Sequence, residues 1–418
     1  MKRAALYICY YTLNDPLTES QVVAYLRELA ARDIEMHLLT FERELPVERK
    51  QALKELLAQA GITWHTLRYH KRPSLPATLY DITLGALKAW RICRAHDIGF
   101  IHARSHVPAA MALLLQRACG YRWLFDLRGL LAEEYVDGGN WRAGEFKFRL
   151  VKRMERAFFR RADALVMLTE RIKDELVKTE PALRERAADI TVIPCCVDAD
   201  RFGAAQPKRE AYRRERGWSE RRVLVYVGKL GTWYPAAELV RFFAALRRVD
   251  QSFFFQVLTQ DDPEPIRQAC AALGVAEQDY DIRFAPPEQL PLILSAADAS
   301  LSFRKGEYSK LAASPTKVGE SLAAGLPLVT NAGIGDCDQI LTTHGLGVSL
   351  REFSAAEYNR AAEALCELLA DSQIAERCRG FAGRELSYAR VGGPRYAAIY
   401  ERLLAPDVHE MATESSAA

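Results

Sequence analysis

Short apolar runs alternate with longer amphipathic stretches along this chain. The run at 4–11 predicts a first strand. A polar loop at 12–19 follows, and then Val22, Val23, Leu26 and Leu29 recur at helical spacing within 20–32. The run at 36–40 predicts the next strand. A strand–loop–helix–strand order of this kind starts a doubly wound parallel sheet. Runs at 99–103, 122–126 and 164–169 predict further strands, and the segments between them read as helices. After an apolar run at 190–194 comes the turn-rich stretch 195–206, which predicts an interdomain linker. The pattern then restarts. Strands are expected at 222–228, 252–259, 282–285, 299–303 and 327–330, with helices at 235–249, 264–273 and 394–404. The fold class predicted is α/β, with two Rossmann-like doubly wound domains at 1–198 and 199–393, a terminal helix at 394–405 and a disordered tail at 406–418.

Composition changes this picture little. At 418 residues the chain exceeds what one hydrophobic core supports, which agrees with two domains. A hydrophobic content of 49% and a charged content of 27% are those of an ordinary globular protein. The net charge of +3 divides unevenly: residues 1–195 hold 31 Lys and Arg against 24 Asp and Glu, and residues 196–418 hold 26 against 30. The basic first half suits an anionic surface or acceptor. The nine cysteines show no paired metal-ligand spacing, and read as small apolar residues of a reducing cytoplasm. Neither a signal peptide nor an apolar run long enough to span a membrane is read from the sequence.

The richest stretch for chemistry is 314–329. Ser314, Pro315 and Thr316 open an apolar helix, Gly325 closes it, and a β-type run follows. The free N–H groups of such a helix start, with Lys317, suit an anion. Glu320 lies about one turn inside, where a carboxylate can accept two sugar hydroxyls. A diphosphate beside a ribose fits this arrangement. An ordinary capped helix with a C-terminal glycine would show the same letters.

The stretch resembles the donor-binding signature of retaining glycosyltransferases of family 4, which have the GT-B fold: Pro315, Lys317, Glu320, Ala323, Gly325 and Pro327 fill the pattern Pro-x-Lys-x-x-Glu-x-x-Ala-x-Gly-x-Pro. Ile101–Ser105, Phe125–Gly129, Ile193–Asp198 and Tyr226–Leu230 are similar to further stretches of the family at the expected distances, so the resemblance covers roughly 4–403. It implies two domains facing across a cleft, a nucleotide-sugar donor held by the second, and a last helix packed back on the first. It implies sugar transfer to a glycan or lipid-linked acceptor, with retention, no metal and no cofactor, in bacterial surface polysaccharide synthesis. Ser314, Thr316, Lys317 and Glu320 are then donor-binding residues. Lys229 matches a basic residue of the family just past Gly228.

The chain departs from the family at several positions. Tyr234, beside Trp233, stands where a second lysine is usual, so Lys317 and the loop amides carry more of the charge, or Arg304 or Lys310 substitutes. Ala312 stands where the first of two glutamates is usual, and Glu307 is the nearest upstream carboxylate. Arg104 stands where relatives often have a histidine facing the donor sugar. Arginine cannot act as a base near neutral pH, so Arg104 would bind phosphate or stabilise charge. His106, two residues on, is a candidate for contact with sugar or acceptor. Asp126 and Arg128 end a strand on one face; they either bind acceptor or pin their own loop. Arg104, His106, Asp126 and Arg128 are the catalytic candidates. The loop at 14–20 has Pro16-Leu17-Thr18-Glu19-Ser20 where relatives often carry a glycine pair.

The stretch 142–161 interleaves eight arginines and lysines with Phe146, Phe148, Leu150, Phe158 and Phe159. It is either a core-facing helix with a solvated basic side or a helix lying on anionic lipid at the inner face of the membrane. Nucleic acid is not expected, since no stacking or groove-reading motif accompanies the charge. No metal constellation is read from spacing, and no dinucleotide or P-loop glycine motif appears, which disfavours an NAD enzyme or an NTPase. Alternatives to a transferase are a non-catalytic protein of the same fold that binds a nucleotide sugar or glycan, and a sugar-nucleotide epimerase.

Overall fold

The computed structural model describes residues 3–405 apart from positions 73 and 232. The expected tail at 406–418 lies outside the described residues. Seven strands form the first sheet, in the order β3-β2-β1-β4-β5-β6-β7. They are β1 (Ala4–Cys9), β2 (Glu35–Glu42), β3 (Ile62–Arg68), β4 (Phe100–Arg104), β5 (Arg122–Asp126), β6 (Ala164–Met167) and β7 (Ile190–Val192). Six strands form the second sheet, in the order β10-β9-β8-β11-β12-β13. They are β8 (Arg222–Val227), β9 (Phe253–Leu258), β10 (Tyr280–Arg283), β11 (Ala299–Ser302), β12 (Leu328–Asn331) and β13 (Gly347–Leu350). Every pairing is parallel. Central strands such as β1 and β4 are buried along their whole length. Such strands read as apolar runs because helices cover both faces.

Two strands were not announced by the sequence pattern. Ile62–Arg68 falls in a region expected to be helical, but it forms β3 at the sheet edge, in register with Met36–Glu42. Only Ile62 of this strand is buried, so the apolar signal of a strand is missing. Pairing with β2 and a hydrogen bond of 2.8 Å from Trp64 Nε1 to Thr40 Oγ1 hold it instead. The other is β13, a short edge strand beside β12.

Between the sheets, the chain crosses at Ile193–Asp198 into the short helix Ala199–Gly203. It returns at the end: in the helix Gly393–Leu404, Tyr396, Ile399, Tyr400 and Leu403 pack among Ala5, Tyr7 and Phe100 of the first sheet. Full burial of an aliphatic side chain such as Ile399 contributes roughly 1.5–3 kcal/mol. Further contacts link the two halves. Asp336 of the second accepts hydrogen bonds from Glu170 N at 2.8 Å and Arg171 N at 3.0 Å, at the open start of the helix Glu170–Thr179. The guanidinium of Arg171 forks onto Asp338 at 2.9 and 3.1 Å. Gly335 makes this approach feasible: a Cβ there would lie 2.1 Å from the Ala313 carbonyl oxygen and 2.8 Å from Thr169 Cγ2.

Candidate functional site

In an open parallel sheet, ligands bind outside the strand C-termini where the strand order reverses. The second sheet reverses between β8 and β11. The two loops leaving those strands carry Gly228, Lys229, Trp233 and Tyr234 on one side and Arg304, Lys305 and Lys310 on the other. The helix Thr316–Ala323 starts at the same edge. Lys317, in its first turn, folds back over the end of β8. A Cβ on Gly228 would lie 1.6 Å from Lys317 Nζ, so any side chain there would push that ammonium aside. Lys317 Nζ sits 4.7 Å from the centre of the Tyr234 ring and 5.4 Å from that of Tyr226. Burial and the nearby charge of Arg304 lower its pKa to about 7, against the pull of Glu320.

Arg304 stands over Tyr234, the residue at the position of the missing family lysine. Its Nη2 donates to the Tyr234 hydroxyl at 2.5 Å, and its guanidinium lies 5.0 Å from the ring centre. Lys229 is exposed at the same edge. Lys310 is buried with its ammonium 3.7 Å from the centre of the Trp233 ring, a cation–π contact. Burial lowers its pKa, opposed by Glu134 and Asp137 across the cleft. Lys229 and Arg304 thus both act on Lys317 at this edge, and none of the three has a salt-bridged carboxylate among the described residues. The carboxylate of Glu320, half-buried one turn along the helix, has no hydrogen-bond partner among the described residues, and burial raises its pKa.

The structure brings Thr316, Lys317, Glu320 and Lys229 to one edge. Ser314 does not join them. Its Oγ accepts a hydrogen bond from Cys195 N at 3.0 Å and ties the interdomain crossing to the helix start. Ala312, at the position of the absent glutamate, is buried against the first domain's core. A carboxylate there would be desolvated without a partner. Glu307 is exposed.

The opposite wall is built differently. Asp126 is fully buried at the end of β5. His102 Nε2 is 3.4 Å from its Oδ2 and Tyr396 donates to that oxygen at 3.2 Å. Arg104 Nη1 lies 3.6 Å from Oδ2, and Arg128 Nη1 lies 3.5 Å from Oδ1. Burial pushes the Asp126 carboxyl up, but Arg128, His102 and Arg104 outweigh it and hold the pKa well below the usual range. Asp126 therefore corrects the sequence expectation: it lies beneath the cleft surface and positions two arginines. Arg128 is further fixed by Gln21 Oε1 and Cys195 Sγ, each accepting from Nη2 at 3.3 Å. Gln21 had no signal in the sequence, since its partners lie far along the chain.

His106 is the second correction. It is the first residue of the helix His106–Cys119 and only 4% exposed. Its Nε2 is 2.9 Å from the buried Glu155, among Phe125 and Phe158. Glu155 in turn is paired with Lys152, which reaches Glu133 at 2.8 Å. This network ties the helix Phe146–Arg161 to His106 through Nε2, while His106 Nδ1 has no hydrogen-bond partner among the described residues. A different carboxylate looks across: Glu134, partly buried in the helix Leu131–Asp137, with its pKa raised by burial and lowered in part by Lys310, His106 and Arg304.

The comparisons with known proteins follow the same division. Residues 18–201 match the family model for Glycosyltransferase Family 4. No curated protein matches the sequence. A glycosyltransferase from Rickettsia africae is 14% identical, with a TM-score of 0.73 over 97% of this chain and 100% of its own. WaaG, a glycosyltransferase involved in lipopolysaccharide biosynthesis, is 18% identical, with a TM-score of 0.67 over 95% of this chain and 99% of its own. Anabaena HepE, solved in complex with UDP and glucose, is 15% identical, with a TM-score of 0.65 over 96% of this chain and 100% of its own. At such identities these likenesses speak for the fold, and the family match speaks for the chemistry. By that match and by the two facing sheets, the chain is a glycosyltransferase of the GT-B fold that resembles glycosyltransferase family 4.

Proposed function

We propose that this enzyme moves a sugar from a nucleotide-sugar donor to a glycan or lipid-linked acceptor, with retention of configuration and without a metal. One observation carries the reading: Lys229, Arg304 and Lys317 converge, unpaired by carboxylate, at the switch point of the second sheet, with Glu320 one turn beyond. Departure of a nucleoside diphosphate gathers negative charge on its phosphates. Fixed cations aimed at that position stabilise the transition state more than the ground state. Glu320 accepts the ribose hydroxyls. Arg104 and Arg128, both largely buried around Asp126, supply the positive charge of the wall on the sugar and acceptor side.

The finer setting is a bacterial surface polysaccharide pathway at the inner face of the membrane, in the cytoplasm. The basic helix Phe146–Arg161 supports a peripheral attachment to anionic lipid, since Phe146 is 67% exposed among lysines and arginines while Phe158 and Phe159 turn inward. No helix among the described residues is long and apolar enough to cross a membrane.

A thermal-shift screen of nucleotide sugars tests the donor class, with UDP-glucose as the first candidate because HepE is solved with it. The expected result is stabilisation by one nucleotide sugar and release of nucleoside diphosphate only when an acceptor is added. Binding without release would favour a non-catalytic protein. A change in the sugar without an acceptor would favour an epimerase.

A further inference from the structure

A cluster of three histidines stands apart from the cleft. His37 lies on β2 and His65 on β3, in a register that pairs His37 with Thr63 and Leu39 with His65. The two histidines are therefore diagonal neighbours on one sheet face. His96 closes the helix Ser74–His96, in its last turn. One ring nitrogen from each histidine lies within 4.8 Å of the other two. His37 Nδ1 and His65 Nε2 are 3.1 Å apart, and the centres of the His37 and His96 rings are 4.2 Å apart. Cleft residues lie at the strand C-termini, level with Thr40 through the pairing of Cys9 with Thr40 and Arg104. His37 is three residues below that level, about 10 Å away along the strand.

We propose that His37, His65 and His96 form a binding site for a divalent transition-metal ion of the zinc class. Imidazole is a preferred ligand of such ions, and three protein ligands with water in the fourth position form a common arrangement. Two nitrogens bound to one tetrahedral zinc at about 2.0–2.1 Å stand roughly 3.3 Å from each other. The His37–His65 pair already has that spacing, and His96, half-buried at a helix end, closes the remaining gap. The outer shell is also in place: Glu35 Oε1 is 3.1 Å from His37 Nε2. A carboxylate there keeps the proton on Nε2 and directs the Nδ1 lone pair at the metal. His65 need only move its proton from Nε2 to Nδ1, so binding to the neutral rings requires no net proton release. The ion would tie the edge strand β3, which buries little apolar surface of its own, to β2 and the long helix. It lies too far from the cleft to take part in transfer.

The test uses untagged full-length protein with the exposed Cys119 changed to Ser, so that no surface thiol competes. Zn²⁺ is titrated against a chromogenic chelator, and Co²⁺ is followed by its visible absorption. The expected result is one equivalent of Zn²⁺ per chain, a tetrahedral Co²⁺ band without thiolate charge transfer, and a melting temperature raised by Zn²⁺ but not by Mg²⁺. His65→Ala and His96→Gln should each lose at least tenfold in affinity, and Glu35→Gln about 10–100-fold. Circular dichroism shows whether each variant is folded; His96→Gln, half-buried and close in size, is the one to rely on if His65→Ala is not. Binding weaker or less ordered than one equivalent, a thiolate band, or unchanged affinity in folded His96→Gln would each overturn the site.

Discussion

The two walls of the cleft both rest on arginine or lysine at strand ends, yet their charges are handled in opposite ways. On the first-domain wall, Arg104 and Arg128 share the single buried carboxylate of Asp126, which His102 and Tyr396 hold, and Gln21 fixes Arg128. On the second-domain wall, Lys229, Arg304 and Lys317 face one another with aromatic rings between them. The first arrangement holds its own counter-charge, although Asp126 Oδ1 and Arg128 Nε and Nη1 make no hydrogen bond among the described residues. The second carries like charges at close range with no salt-bridged carboxylate among the described residues, the feature on which the proposed diphosphate site rests. Bulk charge would have suggested the reverse, because the second half of the chain is the acidic one, 26 basic against 30 acidic residues. What decides the site is local geometry within a few ångströms, where Coulomb energies are large.

The comparison breaks most clearly at Asp126. Asp126→Ala leaves two buried guanidinium groups unpaired and should cost about 3–5 kcal/mol in denaturant unfolding. A loss near ~1 kcal/mol, the range of an exposed pair, would mean that Asp126 does not hold this wall together. Lys317→Ala and Arg304→Ala should do the opposite. Stability should hold, while affinity for nucleoside diphosphate falls by roughly 1.5–3 kcal/mol in titration calorimetry. Unchanged affinity in both would remove the donor from this edge.

A subtler division concerns turnover. Glu320→Gln should weaken nucleotide binding by ~1 kcal/mol, because an amide copies two accepted hydroxyl bonds poorly. Arg128→Lys, which loses the contacts to Gln21 and Cys195, should lower kcat with little change in nucleotide affinity. The reverse pattern would exchange the roles of the walls.

Acidity sharpens the contrast further. With its pKa lowered to about 7, Lys317 is only partly protonated near neutrality. An arriving diphosphate favours the charged form, so binding should take up a fraction of a proton near pH 7–8 and weaken as pH rises through that range. Calorimetry in buffers of different ionisation enthalpy measures the uptake, and Lys317→Met should abolish it. Uptake that persists in this variant would assign the proton to the ligand. The smallest effect expected is in shape. Arg171→Ala removes the fork onto Asp338 across the halves, a partly exposed pair worth ~1 kcal/mol at most. X-ray scattering should then show a slightly larger radius of gyration without nucleotide than with it. Equal radii would leave the pair no role in closure.

Read alone, the sequence determined the order of most elements, all strands but β3 and β13, and the class of the fold. Buried parallel strands are apolar runs wherever they sit, and a helix opened by Ser314-Pro315-Thr316 and closed by Gly325 is a local event of backbone chemistry. Lys229 and Lys317 were legible because their places in strand-end and helix-start motifs are local too. The tertiary structure alone decided what depends on neighbours far along the chain. It placed β3, whose own residues bury almost nothing, by pairing it with β2. It put Arg304 over Tyr234 where a lysine was missing, and buried Ala312 against the other domain. It also turned Asp126 and His106 inward, which no alternation pattern could foresee, since each is held by side chains from other elements. The three histidines at 37, 65 and 96 are the same case: distant in sequence, they meet only because two strands and a helix end at one corner. Local propensity is written residue by residue, whereas burial and charge pairing belong to the assembled sheets.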